Sequence, residues 1–324
     1  PRPPPRPPPP RHAPALTRHP AAGDRAPPRP SQRPAAPHPA PHTVSPSNQL
    51  RISRAVYRRV YDSLTADERV RDLMSALVDA DQTFLNLDPL RKIRTEPYEP
   101  KPDALSVGTG TDFSALASAW LTEWERTEDE KIKQKLINAM TTIGEMDHGW
   151  FTGGPLFDPA TGRFHSWNPD PKAAGMSHLS AVFGLPEVCA ELIQQFDVPG
   201  FKKAWLDYCT WYNADRGARR EALGLDFRTG ILTTGHSRLT AYAAKMLDDP
   251  ALAERAWNEF FSELRWMPER FKGNVRRFDG VDSLNPVTER TFMDTNGTAL
   301  FGAAAIQNLG LIGDALPEDD PRAK

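Results

Sequence analysis

Residues 112–145, DFSALASAWLTEWERTEDEKIKQKLINAMTTIGE, have the pattern of a helical hairpin. In 113–124 and again in 132–143, apolar residues recur at the i, i+3, i+4 and i+7 positions that form one face of a helix. Thr127 and Glu130, between the two stripes, have the spacing of a capping box, which predicts where the second helix begins. This stretch therefore predicts two antiparallel helices joined by a short turn, and with them an all-α fold.

Similar apolar stripes cover most of the chain after residue 50, and they come in pairs. Short turns near residues 65, 127, 198 and 249 alternate with long connectors at 86–111, 145–174, 214–235 and 266–294. Thr65 with Glu68 gives a second capping box, and Pro199 and Pro250 suit the first turn of a helix. The first apolar stripe consists of Ile52, Val56 and Val60. No convincing run of paired strands is found, so the repeating unit is predicted to be the helical hairpin.

Hairpins that repeat around a ring form an (α/α) toroid, and each long connector then enters the same end of the ring. That end is the predicted active face, because it also carries helix N-termini, whose dipoles favour bound anions such as a carboxylate. The sequence contains about four and a half hairpins, so we expect a six-hairpin toroid that is incomplete. Its last segment, 297–310, is apolar nearly all round, which predicts a helix covered on every side.

The first 46 residues differ sharply in composition from the rest. They hold 18 of the 33 prolines and seven arginines against one acid, and they contain no aromatic residue. Such a segment cannot bury a core, so 1–46 is predicted to be a disordered Pro/Arg-rich tail, 47–318 the toroid domain and 319–324 a C-terminal tail. Since the whole chain has a formal net charge of −2 and the tail about +6, the body is acidic by about eight charges, which argues against nucleic-acid binding.

Targeting and redox signals are few. No run of 18 apolar residues occurs, so no membrane insertion is expected, and the Arg-containing tail lacks the apolar region of a signal peptide. The chain does not begin with methionine, and we expect it to be a fragment whose upstream part, including any export signal, is missing. Cys189 and Cys209 lie on predicted apolar helix faces, which favours buried free thiols over a disulfide.

The four histidines outside the tail all fall in long connectors or at helix starts: they are His148, His165, His178 and His236. None has the spacing of a metal site, and the chain has no CxxC, so neither a metal nor another cofactor is expected. If the hairpins form a ring, these imidazoles share its connector end. The sequence thus predicts a histidine-containing site at that end.

Two polar clusters stand out. In TGHSRLTAY, His236 lies at a helix start with Arg238 and Tyr242 following, so a base, an anion binder and a phenol can share one region. The alternative is structural: Ser237 caps the helix, Arg238 forms a surface ion pair and Tyr242 fills the core.

The second cluster lies in the connector 145–174, which contains GRFHSWNP. Arg163 and His165 stand there among aromatic residues, and aromatic planes between charged donors suit sugar rings. The aromatic residues in question are Trp150, Phe151 and Trp167. Each can instead anchor a long loop.

Carboxylates near the same face make a hydrolase an alternative prediction. Asp147 lies in the connector, and Asp294 precedes Asn296 at the start of the last helix, so a two-carboxylate mechanism is a second prediction. No GxSxG, Walker A or dinucleotide fingerprint occurs, which disfavours ester hydrolases, nucleotide enzymes and dehydrogenases.

Four segments together resemble a known family: HGWFTGGPLFDPATGRF, MSHLSAVFGLPEVCAELI, TGHSRLTAYAAKML and FMDTNGTALFGAAAIQNLGLIG. They are similar to the helical domain of bacterial and fungal secreted proteins of the exo-rhamnogalacturonan lyase-like kind, which often carry a twin-arginine export signal. The resemblance covers about residues 47–318. It implies an (α/α) toroid accompanied by β-sandwich domains, which this chain does not show, and a secreted or periplasmic location.

The reaction that the resemblance implies is β-elimination at a uronate of a rhamnogalacturonan-type polymer. A base removes the proton α to the carboxylate, cations stabilise the resulting charge, and an acid assists the leaving oxygen. We accordingly expect the catalytic set to be His236 or His178 as base, Tyr242 as acid, and Arg238 with Arg163 as carboxylate clamps. The expected substrate contacts are His148, Trp150, Phe151, Arg163, His165, Trp167 and Asn296.

Two alternatives remain at this point. One is a six-hairpin glycoside hydrolase that uses Asp147 or Asp294, and the other is a helical domain that binds carbohydrate or serves as a scaffold without catalysis. In all three cases the expected partner is a polysaccharide or an oligosaccharide.

Overall fold

A computed structural model describes residues 55–80, 105–106, 109–152, 155–165, 184–226, 232–262, 275–278, 287–290, 295–317 and 319. All of these residues belong to one unit, Ala40–Lys324. The predicted tails, 1–46 and 319–324, lie outside the described residues except for position 319, so the predicted domain boundaries stay a prediction. No described helix is long and apolar enough to cross a membrane.

Ten α-helices account for most of the described chain. They are α1 Ala55–Thr65, α2 Glu68–Val78, α3 Thr111–Thr127, α4 Glu130–Glu145, α5 Leu185–Gln195, α6 Pro199–Trp211, α7 Arg216–Leu223, α8 Thr233–Leu247, α9 Pro250–Ser262 and α10 Thr295–Ile312. Short 3₁₀ helices follow α4 at Gly149–Phe151 and α10 at Gly313–Ala315. The mostly helical fold and the hairpin pairing are therefore as predicted, with α7 as an additional helix inside a connector.

The turns within the hairpins lie where the sequence places them, but the capping residues differ. Asp67 caps α2 through the Arg69 N–H at 3.1 Å, and Asp129 caps α4 through the Lys131 N–H at 2.8 Å. The predicted capping boxes at Thr65 and Thr127 are wrong, because each of these threonines ends the preceding helix and donates its hydroxyl to a carbonyl one turn earlier. Pro199 and Pro250 begin α6 and α9, as predicted.

Short strands occupy the connectors, in contrast to the expectation of no paired strands. Strands β1 (Leu105–Ser106), β2 (Leu156–Asp158) and β3 (Arg163–His165) form an antiparallel sheet in the order β1-β2-β3. Strands β4 (Val275–Phe278) and β5 (Val287–Arg290) form a second antiparallel pair. With two to four residues each, these strands are too short for a readable period-2 pattern.

The core is rich in aromatic residues and lies between the hairpins. Its largest fully buried side chains include Trp120, Trp205, Tyr208, Phe113 and Phe157. Cys189 and Cys209 are buried free thiols, as predicted. The same burial raises the pKa of both thiols well above the ordinary value, so they stay protonated and inert at neutral pH.

Two helices depart from the predicted burial. Helix α10 is not covered on every side, because Phe301, Ile306 and Leu309 are exposed. On α1, Val60 of the predicted apolar stripe is also exposed. The side of α1 that faces the protein instead carries Arg59, which donates hydrogen bonds to Glu191 on α5 and to Glu125 on α3.

Candidate functional site

The hairpin β2–β3 in the connector after α4 has one buried face. Phe157 and Phe164 are direct cross-strand partners, and their rings lie 4.8 Å apart. Phe164 packs edge-on against Phe113 at 5.9 Å, and Phe157 stacks on Trp120 at 6.2 Å. Because neighbouring residues of a strand point to opposite faces, this packing fixes which side chains point outward.

The outward face of the hairpin carries Asp158, Arg163 and His165. Asp158 is the cross-strand partner of Arg163, and His165 follows Arg163 by two positions on the same face. Arg163 is half-buried and His165 is exposed. Arg163 forms no ion pair with any residue that the structure describes. The sequence-predicted pair of Arg163 and His165 is therefore brought together on one accessible surface.

Asp158 also closes the hairpin turn. Its carboxylate accepts hydrogen bonds from the Ala160 N–H at 2.9 Å and the Thr161 hydroxyl at 2.5 Å. Gly162 completes the turn at a φ of +75°, a conformation that favours glycine. Sequence analysis missed Asp158, although the turn-forming string DPATG before Arg163 could have revealed that these two residues face each other across a hairpin.

Helix α4 holds the hairpin in place. Asn138 donates a hydrogen bond to the Thr161 carbonyl at 2.8 Å, and the Phe164 N–H donates to the Thr142 hydroxyl at 2.9 Å. Both anchors lie on the second half of α4. The outward residues of the hairpin are thus attached to a regular element rather than to a free loop.

A cavity of about 190 Å³ lies at the end of the same helix. It opens between the C-terminus of α4, the 3₁₀ helix Gly149–Phe151, residues 200–207 of α6 and the segment that ends α7. Its polar lining consists of Asp147, His148, Lys203 and Asp207. The buried Nε2 atom of His148 has no hydrogen-bond partner among the described residues. His148, predicted to contact substrate, is therefore a cavity residue.

The aromatic residues beside this cavity are mostly part of the core. Trp150 is buried, with its ring 5.6 Å from that of Phe113 and 5.3 Å from that of Trp205. Phe151 is also buried, lines the cavity and lies 4.9 Å from Tyr208. Trp150 thus anchors the connector to the core, while Phe151 supplies an apolar wall to the cavity. Their roles as sugar platforms stay predictions.

The start of α8 places His236 inside the protein. Its side chain is 0% exposed, and its ring meets that of Tyr212 at 4.7 Å and an interplanar angle of 72°. A substrate in solution cannot reach this imidazole without a rearrangement of the chain around it. The structure thus surrounds His236 with protein, and its predicted role as base stays a prediction.

Arg238 and Ser237 are buried in the contact of α8 with α5 and α10. Arg238 donates a hydrogen bond to the Glu187 carboxylate at 2.8 Å, and Gln307 donates to the same carboxylate oxygen at 2.9 Å. Asn308 donates to the Ser237 hydroxyl at 2.9 Å. A clamp role for Arg238 would require a substrate carboxylate to replace Glu187.

A buried carboxylate that sequence analysis missed lies next to this region. Glu259 on α9 accepts hydrogen bonds from the Thr240 hydroxyl at 2.6 Å and the Asn213 amide at 2.9 Å, and it lies 3.0 Å from the guanidinium of Arg255. Burial nevertheless raises the pKa of Glu259, since the loss of hydration outweighs these partners. No local motif around Glu259 could have revealed this cluster, because Thr240 and Asn213 are distant from Glu259 in the sequence.

Tyr242 is half-buried on α8. Burial raises the pKa of its phenol well above the ordinary range, with the nearby thiols of Cys209 and Cys189 adding to the effect. The phenol therefore holds its proton at neutral pH, as a general acid must. Its predicted role as the acid stays a prediction.

Several predicted residues lie outside the described part of the chain. They are His178, Trp167 and Asp294, and the side chain of Asn296 in the first turn of α10. Among the residues that the structure does describe, no group of three or more His, Cys, Asp or Glu is arranged to hold a metal ion.

Comparison with known proteins identifies the fold. The model of the family "PcRGLX-like protein C-terminal alpha/alpha toroid domain" matches residues 13–317, a range that begins inside the Pro/Arg-rich segment. A relative, the uncharacterized protein YetA of Bacillus subtilis (strain 168), is 29% identical over 294 residues, which cover 86% of this chain and 32% of YetA. The chain thus spans about a third of the length of that relative. The family and the toroid fold predicted from the sequence are both confirmed, and the chain belongs to the family of PcRGLX-like C-terminal α/α toroid domains.

Proposed function

We propose that this chain is the toroid domain of a secreted polysaccharide lyase that cleaves a uronate-containing polymer of the rhamnogalacturonan type by β-elimination. Membership of its family gives the domain a carbohydrate-related role. The specific reaction is our proposal. Because the chain spans about a third of YetA, the activity of any longer protein that contains it is part of the same proposal.

The outward face of the β2–β3 hairpin is the observation that carries this proposal. It presents a guanidinium, Arg163, and an imidazole, His165, on the same side of a strand that is anchored to α4. A planar guanidinium suits bidentate recognition of a carboxylate, and an imidazole exchanges protons near neutral pH. Proton abstraction next to a carboxylate needs this pair of functions.

The proposed reaction follows from these two groups. Arg163 binds the uronate carboxylate and stabilises the negative charge that develops on it, while His165 accepts the proton from the carbon next to that carboxylate. The electron pair of the broken C–H bond forms a carbon–carbon double bond as the bond to the glycosidic oxygen breaks. The leaving oxygen then takes a proton from an acid, for which Tyr242 is the sequence-based candidate.

His165 ranks before His236 as the base. His165 is exposed, whereas His236 is fully buried, so only His165 among these two is accessible to a polymer without rearrangement. His178, the other candidate base, lies outside the described residues. Substitution of each histidine in turn distinguishes the three.

An absorbance assay tests the proposal. We expect a rhamnogalacturonan-type polymer incubated with the protein to yield unsaturated uronate, detected by its ultraviolet absorbance, with the 324-residue chain and the full-length product of its gene assayed in parallel. His165→Ala should lower turnover about 10²–10⁴-fold, the usual cost of losing an acid–base group. Arg163→Ala should raise KM and also lower kcat, because Arg163 both binds the carboxylate and stabilises the charge that develops on it. Arg163→Lys should restore only part of the loss, because lysine cannot bind a carboxylate bidentately.

One control variant and two alternative outcomes distinguish the lyase from the other candidate functions. Arg220→Ala, on the exposed side of α7, removes an arginine away from the hairpin and should leave turnover unchanged. Saturated reducing sugars without absorbance would support the hydrolase instead, and loss of that activity in Asp147→Asn would identify a carboxylate of the cavity as its catalyst. Polymer binding without any cleavage by either protein would support the non-catalytic domain.

A further inference from the structure

The cavity at the end of α4 is too small for a long ligand. Its volume of about 190 Å³ is well below the roughly 300–1,000 Å³ of sites that enclose drug-sized molecules. A single sugar ring is of a suitable size. The cavity therefore accommodates one monosaccharide unit rather than a stretch of polymer.

The walls of the cavity have the mixed character that a sugar ring requires. Phe151, Leu223 and Leu225 provide apolar surface for the C–H face of a ring, while the carboxylates of Asp147 and Asp207 accept hydrogen bonds from hydroxyl groups. The two acids come from different elements, and both leucines come from the segment that ends α7, so the cavity depends on the folded chain.

The imidazole of His148 adds an unsatisfied group. Its Nε2 atom is buried and lacks a hydrogen-bond partner among the described residues. Leaving a buried polar atom unpaired is unfavourable, and a rotation of the ring toward the cavity would let a ligand hydroxyl pair with it. Since a hydroxyl both donates and accepts, it suits either tautomer of the ring.

The charges of the cavity discriminate between sugars. Two carboxylates face one ammonium, that of Lys203, and Lys203 is already paired with Asp207 at 2.6 Å. A uronate would bring a third carboxylate beside Asp147, and the described lining of the cavity offers no unpaired cation to receive it. Like charges at short range repel. A neutral ring avoids this repulsion.

We propose that this cavity binds one neutral monosaccharide unit and rejects uronates. It is then a separate subsite from the outward face of the hairpin, where the uronate would react. The inference rests on the carbohydrate role within the proposed function but not on the β-elimination. In this proposal the hairpin binds the uronate and the cavity binds the neutral sugar.

Titrations with free D-galactose, L-rhamnose and D-galacturonate, followed by ligand-observed NMR, test this proposal. They use the full 324-residue chain carrying Arg163→Ala, which removes the proposed uronate contact of the hairpin and leaves the cavity unchanged. At least one of the two neutral sugars should bind saturably, and galacturonate should bind about tenfold more weakly or not at all, because of the repulsion. His148→Ala should weaken neutral-sugar binding about 2- to 12-fold, the usual effect of one hydrogen bond. Ala204→Leu, which adds a side chain to the cavity wall, should abolish binding.

Two further variants test whether unfolding explains the loss of binding and whether charge explains the choice of sugar. Ala251→Leu makes the same substitution at an exposed site on α9 and should leave binding intact. Replacing Asp147 and Asp207 together by asparagine frees Lys203 and should raise the affinity for galacturonate to at least that for galactose. The proposal is overturned if no neutral sugar binds, if galacturonate binds the Arg163→Ala chain better than the neutral sugars do, or if Ala204→Leu has no effect in a folded protein. Absence of unsaturated product in the lyase assay would contradict the proposed reaction while leaving this binding result standing.

Discussion

Gly144 on α4 and Gly200 on α6 mark the point where these two helices cross at backbone contact. A Cβ atom at Gly144 would lie 2.5 Å from the carbonyl carbon of Gly200 and 2.6 Å from the amide nitrogen of Phe201. Backbone atoms cannot move aside as a flexible side chain can. Gly144→Ala should therefore lower the free energy of unfolding by about 1–3 kcal/mol, the range for overpacked positions, as measured by urea denaturation.

The partner glycine supplies the control for this prediction. A Cβ at Gly200 would find its nearest atoms, on Gly144, at 3.7–3.8 Å, which is ordinary van der Waals contact. Gly200→Ala should be neutral or stabilising by up to about 1 kcal/mol, because alanine favours a helix more than glycine does. Equal effects of the two substitutions would contradict the close crossing. Both glycines also line the cavity, so this crossing sets the separation of α4 and α6 at the cavity wall.

The hairpin architecture was predictable because it depends on local signals. Apolar periodicity sets the helices, and Pro199 and Pro250 fix two of their starts, since proline suits a first turn. The capping residues were mistaken because a threonine and an aspartate compete within each turn. Thr65 and Thr127 bond back into their own helices, which leaves the capping to the aspartates.

The site was predictable only in part, for a physical reason. Arg163 and His165 are two residues apart, so a single strand suffices to bring them to one face. The cavity and the Glu259 cluster instead depend on contacts between segments that are distant in sequence, such as that of Asn213 with Glu259. His236 and Arg238 were expected to share a site at the connector end of the ring because they lie at a helix start. The structure pairs Arg238 with Glu187 and packs His236 against Tyr212.

The ion pair of Arg238 with Glu187 makes a testable contribution to stability. The Arg238 side chain is 2% exposed and that of Glu187 is 27% exposed. Loss of one partner from a buried pair costs about 3–5 kcal/mol, and the partial exposure of Glu187 places Arg238→Ala near the lower end, at about 3 kcal/mol. Urea denaturation measures this loss. Lys245→Ala, at an exposed site of the same helix, should change stability by less than about 0.5 kcal/mol.

This prediction also bears on the role of Arg238 in catalysis. If Arg238 were a free clamp at the surface, Arg238→Ala would lower turnover without lowering stability. A variant as stable as the native chain would thus contradict the structural role.

Glu259 should make stability depend on pH. Burial raises its pKa in the folded chain above the ordinary value of 4.5, so the folded state binds the proton more tightly than the unfolded state does. The stabilisation from this proton is complete below pH 4.5 and is lost as the pH rises through the folded-state pKa. Glu259→Gln cannot lose a proton there. Its free energy of unfolding should therefore increase relative to that of the native chain as the pH rises above 4.5.

Urea denaturation at a series of pH values between about 4 and 8 measures this difference. Glu254→Gln, at an exposed position on the same helix, serves as the control and should give a difference that does not vary with pH. A constant difference for Glu259→Gln as well would show that its buried carboxylate does not titrate differently in the two states.

The outer face of α1 should make the chain self-associate at high concentration. Tyr57, Val60, Tyr61 and Leu64 follow the i, i+3, i+4, i+7 spacing and are all exposed, Leu64 by 81%. A contiguous apolar stripe of this kind favours contact with another apolar surface, and a second copy of the chain offers one. Leu64→Lys should lower the association measured by sedimentation velocity. It should leave the thermal transition unchanged, because an exposed leucine contributes little to folding.

Ala251→Lys adds the same charge at an exposed site on α9 and should leave the association as it is. Identical sedimentation of the native chain and Leu64→Lys across concentrations would contradict this role of the stripe.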